Sequence, residues 1–146
     1  MAIKVYVYSR QELVNSKFED NNLETYPNDY FICINATGYI DSIPYFKNKN
    51  SRVLNLYFDD VEKDQKKYDE EFNLTFYAKA CTEKQSSKIK EFIKNIPNNS
   101  SLHIHCTKGK SRSPAIAKYV TETRKVSNEL SFSNFNKHVY NLLCQI

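Results

Sequence analysis

The chain has 146 residues, a formal net charge of +4, and 40% hydrophobic and 26% charged side chains. That is the make-up of one soluble domain, 1–146, able to bury on the order of 70% of its unfolded surface around a single core. No apolar run approaches the roughly 18 residues of a membrane span and the N-terminus carries no signal-peptide pattern, so stable membrane insertion is not expected and a cytoplasmic protein is.

In chain order, Ile3 to Tyr8 alternates apolar and polar residues and reads as a strand. Ser9-Arg10-Gln11-Glu12 is a capping-box pattern that predicts a short helix to about Phe18. Residues 19–28, with Pro27, read as a loop. Tyr30 to Asn35 is apolar on both faces, as in a central strand covered on both sides. Thr37-Gly38-Tyr39 reads as a turn and Pro44 discourages regular structure after it. Arg52 to Phe58 is the next strand, and it runs straight into Asp59-Asp60-Val61.

Residues 62–71 are charged and read as a mobile loop. Residues 72–80 fit a strand by alternation (Phe72, Leu74, Phe76, Ala78) and a helix face by Leu74, Tyr77, Ala78 and Cys81, and the two readings stay open. From Thr82, with Gln85 completing a second capping box, Ile89, Phe92, Ile93 and Ile96 form one stripe of a helix ended by Pro97. Pro114 is expected at the first position of a helix to about Lys125. A final helix is expected from Asn134 to about Cys144. Strands separated by helices imply a largely parallel sheet with helices on both faces. The four cysteines, Cys33, Cys81, Cys106 and Cys144, include no C-x-x-C pair, which argues against a zinc site and a disulfide framework. Cys33 and Cys144 sit in apolar surroundings and are expected in the core.

The stretch from Ser101 to Ala115 carries the chemistry. An apolar strand ends at Cys106, and the loop Thr107-Lys108-Gly109-Lys110-Ser111 opens onto a helix N-terminus, whose unpaired amides and positive dipole end favour an anion. A cysteine facing such an end and a fixed cation acts as a nucleophilic thiolate, which is the place Cys106 occupies. The planar fork of Arg112 can hold two oxygens of one phosphate, a geometry lysine does not offer. Gly109 lets the backbone turn its amides inward as a nest, and Ser113 is placed to cap the helix and donate to the sulfur. Lys108 and Lys110 make the local potential positive.

His105-Cys106-x-x-Gly109-x-x-Arg112-Ser113 resembles the His-Cys-x5-Arg-Ser signature of the cysteine-dependent protein tyrosine phosphatase superfamily, most closely its dual-specificity branch. The resemblance implies a central, mostly parallel sheet flanked by helices, with the Cys-x5-Arg loop at the carboxyl end of one strand. It implies phosphate monoester hydrolysis through a phosphocysteine, with Cys106 as nucleophile, Arg112 and the amides of residues 107–111 holding phosphate, and Ser113 assisting the leaving thiolate. It also implies a bracing role for His105 and no need of a metal or other cofactor. The superfamily's general acid lies on a loop upstream of the nucleophile, and Phe58-Asp59-Asp60-Val61 resembles that loop, about 45 residues before Cys106. By the same similarity Asp60 is the acid and Asp59 its neighbour in support.

The implied substrate is a phosphorylated protein or peptide. Lys108 and Lys110 keep open a polyanionic substrate, a phosphoinositide or an RNA 5′ end, and a phospho-binding module with little turnover is the third reading. His103 and His138 are expected to be structural or surface residues and are assigned no role.

Overall fold

A computed structural model describes residues 2–38 and 42–145, so Tyr39, the last residue of the expected turn, lies outside the described residues. In chain order the elements are β1 (Lys4–Ser9), α1 (Arg10–Val14), β2 (Asp29–Asn35), β3 (Val53–Tyr57), β4 (Gln65–Asp69), β5 (Leu74–Ala78), α2 (Glu83–Lys94), β6 (Ser101–Cys106), α3 (Arg112–Thr123) and α4 (Lys137–Cys144), with a 3-10 turn at Leu23–Thr25. Four strands form one sheet in the order β1-β6-β2-β3, with every neighbouring pair parallel. The fold is therefore α/β.

Strand β2 is apolar on both faces because both are covered. Ile32 and Ile34 join a core with residues of α2, α3 and α4, while Phe31 and Cys33 join a second core with Leu13, Phe18, Leu23 and Phe46. Fully burying one such aliphatic or aromatic side chain is worth about 1.5–3 kcal/mol. Helix α2 turns Ile89 and Ile93 inward, and α3 turns Ala115, Ile116, Ala117 and Val120 inward beneath the sheet. Both capping boxes form: the Ser9 and Thr82 side chains accept from Glu12 and Gln85 amides, and those side chains bond back to the cap amides.

The structure departs from the sequence reading in several places. Helix α1 stops at Val14, with Ser16 Oγ donating to the Leu13 carbonyl at 2.5 Å. Phe18 leaves the helical path to enter the second core, where its ring meets Phe31 edge-on at 4.9 Å between centroids. Residues 65–69 and 74–78, expected as charged loop and as undecided, pair as an antiparallel hairpin. The alternation reading of 72–80 prevails because Phe76 and Ala78 turn toward the protein while Tyr77 faces solvent. Helix α3 begins at Arg112, which makes Pro114 its third residue, a place still within the first turn where a missing N–H costs no helical bond. Helix α4 begins at Lys137, three residues after Asn134, because Asn136 caps it, accepting from Val139 N at 3.0 Å. Cys33 is buried as expected, whereas Cys144 is exposed at the end of α4.

Candidate active site

Cys106 is the last residue of β6, and the 107–111 loop runs from there to the start of α3 beside the junction of β1 with α1. That junction grips the loop: the Arg10 amide donates to the Thr107 carbonyl at 3.1 Å. Gly109 lies at φ +69°, and a Cβ on it would stand 2.6 Å from Ser9 N and 2.7 Å from the Tyr8 carbonyl carbon. Glycine is required both by the left-handed backbone and by this close approach. Its constraint is packing against β1, and it is not among the residues that line the cleft described next.

A cleft of about 280 Å³ opens over the loop, lined by Cys106, Thr107, Lys108, Lys110, Ser111 and Arg112 on one side and by Asp59, Asp60 and Val61 on another. Lys67 and Phe76 of the β4–β5 hairpin form a further wall, which the sequence reading missed. The amides of Thr107 through Arg112 donate to no other described group of the protein. Ser111, the residue before α3, does not cap it with its side chain. These amides and the helix dipole together make an anion nest.

Arg112 is buried, 6% exposed. Its Nη1 donates to the Phe58 carbonyl at 2.8 Å and its Nη2 to Thr107 Oγ1 at 3.1 Å, while the buried Nε has no partner. Among the described residues no carboxylate forms an ion pair with it. A buried guanidinium held only by neutral acceptors is an uncompensated charge, and desolvating it without a counter-ion costs several kcal/mol.

The Cys106 sulfur is buried and faces Ser113, whose Oγ lies 3.1 Å away and whose amide donates to the sulfur at 3.5 Å. Ser113 is the second residue of α3 and does not cap it, contrary to the sequence expectation. The His105 ring is also buried, with Nδ1 at 3.4 Å from the Cys106 carbonyl, in contact with the start of the loop. Burial pushes the Cys81 thiol up to about 12 and raises Cys33 too, so both stay protonated.

The two aspartates divide sharply. Asp59 is buried and accepts from the Thr37 amide at 3.1 Å, from the Thr37 hydroxyl and from the Lys79 amide at 2.8 Å. Its carboxylate ties the end of β3 to the residues that follow β2 and β5, and three donors already occupy it. Asp60 is exposed on the cleft, with Oδ1 accepting from Ser111 Oγ at 2.7 Å and Asn136 Nδ2 at 2.9 Å. Neither Asn136 nor Thr37 was legible as part of this site, although an asparagine three residues before Val139 is a recognisable helix cap.

His103 is structural. Tyr8 OH donates to its Nδ1 at 2.7 Å and its Nε2 donates to Asp29 Oδ1 at 2.7 Å, which satisfies the neutral imidazole at both nitrogens. Burial lowers its pKa more than the Asp29 hydrogen bond and charge raise it. His138 Nε2 lies 2.8 Å from the Cys81 carbonyl. No described helix is long and apolar enough to cross a membrane. Compared with models of protein families, with curated proteins and with solved structures, the chain matches none.

Proposed function

We propose that this chain is a phosphate monoester hydrolase of the cysteine-dependent protein tyrosine phosphatase type, of dual-specificity character, acting on phosphorylated proteins or peptides in the reducing cytoplasm. The observation that carries the reading is Arg112: a buried guanidinium without a protein counter-charge, lining one cleft with a buried cysteine and a run of undonated amides. A dianionic phosphoryl group supplies the missing charge and the acceptors together.

In the first step the Cys106 sulfur attacks phosphorus, the bond to the ester oxygen breaks, and its electron pair leaves with that oxygen. Asp60 gives its proton to the departing oxygen, while Arg112 and the loop amides hold the equatorial oxygens. In the second step water attacks the phosphocysteine, Asp60 takes a proton from it, and the sulfur departs. The Ser113 hydroxyl, 3.1 Å from that sulfur, donates to the thiolate as it leaves.

A second reading has its own support. Lys67, Lys108 and Lys110 line the same cleft, and none forms an ion pair among the described residues. That charge suits a substrate with more than one phosphate, such as a phosphoinositide or an RNA 5′ end. The deciding experiment compares kcat/KM for a phosphotyrosine peptide, a phosphothreonine peptide, an inositol phosphate and triphosphorylated RNA, with Cys106→Ser as control. A preference for phosphopeptides supports the first reading and a preference for either polyanion the second. Phosphopeptide binding without turnover of any of the four would replace both with a phospho-binding module.

A further inference from the structure

One asparagine joins two walls of the cleft that lie far apart in sequence and caps α4 as well. The Asn136 side chain donates through Nδ2 to Asp60 Oδ1 at 2.9 Å and to the Val61 carbonyl at 3.4 Å, while its Oδ1 caps α4 by accepting from Val139 N. Its own amide donates to the Ser111 carbonyl at 3.0 Å, at the last residue of the anion loop. Asn136 is 6% exposed, so its own side of these bonds is shielded from water. From the other side, the Ser111 hydroxyl donates to the same Asp60 oxygen at 2.7 Å.

We infer that Asn136 is a positioning residue for Asp60: together with Ser111 it occupies Oδ1 with two donors, fixes the carboxyl group over the anion loop, and leaves Oδ2 as the oxygen that carries the transferable proton. The inference rests on the reading of Asp60 as general acid. Its chemical content is specific. An amide N–H can only donate, so an oxygen bonded to it remains an acceptor and the acid proton resides on its twin. During the first step the proton passes from Oδ2 to the ester oxygen as the bond from that oxygen to phosphorus breaks. The carboxylate that results is then stabilised at Oδ1 by the two donors already in place. The same clamp sets the height of the acid above the phosphate, because Asn136 holds the acid loop by its side chain and the anion loop by its backbone.

Two substitutions separate positioning from folding. Asn136→Ser keeps a capping oxygen for α4 but is too short to reach Asp60, and Asn136→Asp keeps the cap while replacing the donor by an acceptor. Turnover of 4-nitrophenyl phosphate, whose leaving group needs little protonation, is compared with that of phenyl phosphate, whose leaving group needs much. The expected result is a rise of about tenfold or more in the ratio of the two kcat values for both variants, in the direction given by Asp60→Asn. Equal losses on the two esters, or an unchanged ratio in variants with wild-type melting temperatures, would reduce Asn136 to a helix cap and overturn the inference while leaving the hydrolase reading intact. A wild-type protein that turns over neither ester overturns the hydrolase reading and the inference with it.

Discussion

Replacing Arg112 by methionine separates what the guanidinium does for the fold from what it does for an anion. The substitution removes two hydrogen bonds from a charged group, to the Phe58 carbonyl and to Thr107 Oγ1, each worth about 1.5–3 kcal/mol. It also removes a charge buried without a counter-ion, whose effective penalty is several kcal/mol. The two effects oppose one another, so in anion-free buffer the variant should remain folded, with stability within about 2 kcal/mol of wild type. Phosphate breaks the tie. A ligand at 100 times its Kd stabilises the native state by about 2.7 kcal/mol, which for a chain of this length raises Tm by about 5–10 °C. Thermal unfolding across a phosphate titration should show that rise in wild type and almost none in Arg112→Met. The reasoning is refuted if the variant is unfolded in anion-free buffer, which would make Arg112 a structural staple, or if phosphate stabilises both proteins equally.

Asp59 and Asp60 should part company on substitution: Asp59→Ala orphans the Thr37 and Lys79 amides at about 1–3 kcal/mol each and lowers the unfolding midpoint. Asp60→Asn should keep the midpoint but slow phenyl phosphate hydrolysis by about 10²–10⁴-fold, and the reverse pattern would exchange their roles. Gly109→Ala should cost more than about 2 kcal/mol in denaturant unfolding, from left-handed strain plus the contact of 2.6 Å with Ser9 N, and a wild-type midpoint would show that the loop is not pinned to β1. For His103 the folded imidazole is held below its unfolded value of about 6.5, so the unfolded chain binds the proton first. Stability should therefore be full above that value and decline as pH falls through it, a slope that His103→Gln flattens. A stability that rises over the same acid range would mean that an imidazolium–Asp29 pair dominates instead.

The sheet and its core were legible because periodicity reports burial directly: β2 is apolar at every position from Phe31 to Ile34, and both faces are covered. The two capping boxes were legible because each depends on residues three apart. The hairpin was not, since Lys66, Lys67 and Tyr68 face water on a two-stranded ribbon, and what makes them a strand is pairing with residues 75–77. The 107–111 loop was singled out by its spacing, and all of its residues except Gly109 meet in one cleft with Cys106 and Arg112. Asp60 was preferred over Asp59 by resemblance alone; the bonds that distinguish the two run to Thr37, Lys79 and Asn136, whose separations of 22, 20 and 76 residues carry no local signal. Gly109 was chosen for its backbone freedom, and its φ of +69° uses it; the crowding by β1 carried no sequence signal.

The most direct test of the hydrolase account is to trap its covalent intermediate. Wild-type protein mixed with 4-nitrophenyl phosphate and quenched in acid within the first turnover should gain the mass of one phosphoryl group, localised to the peptide bearing Cys106 and absent from Cys106→Ser. Steady turnover with no phosphorylated Cys106 peptide, or with phosphate on another residue, would contradict the account.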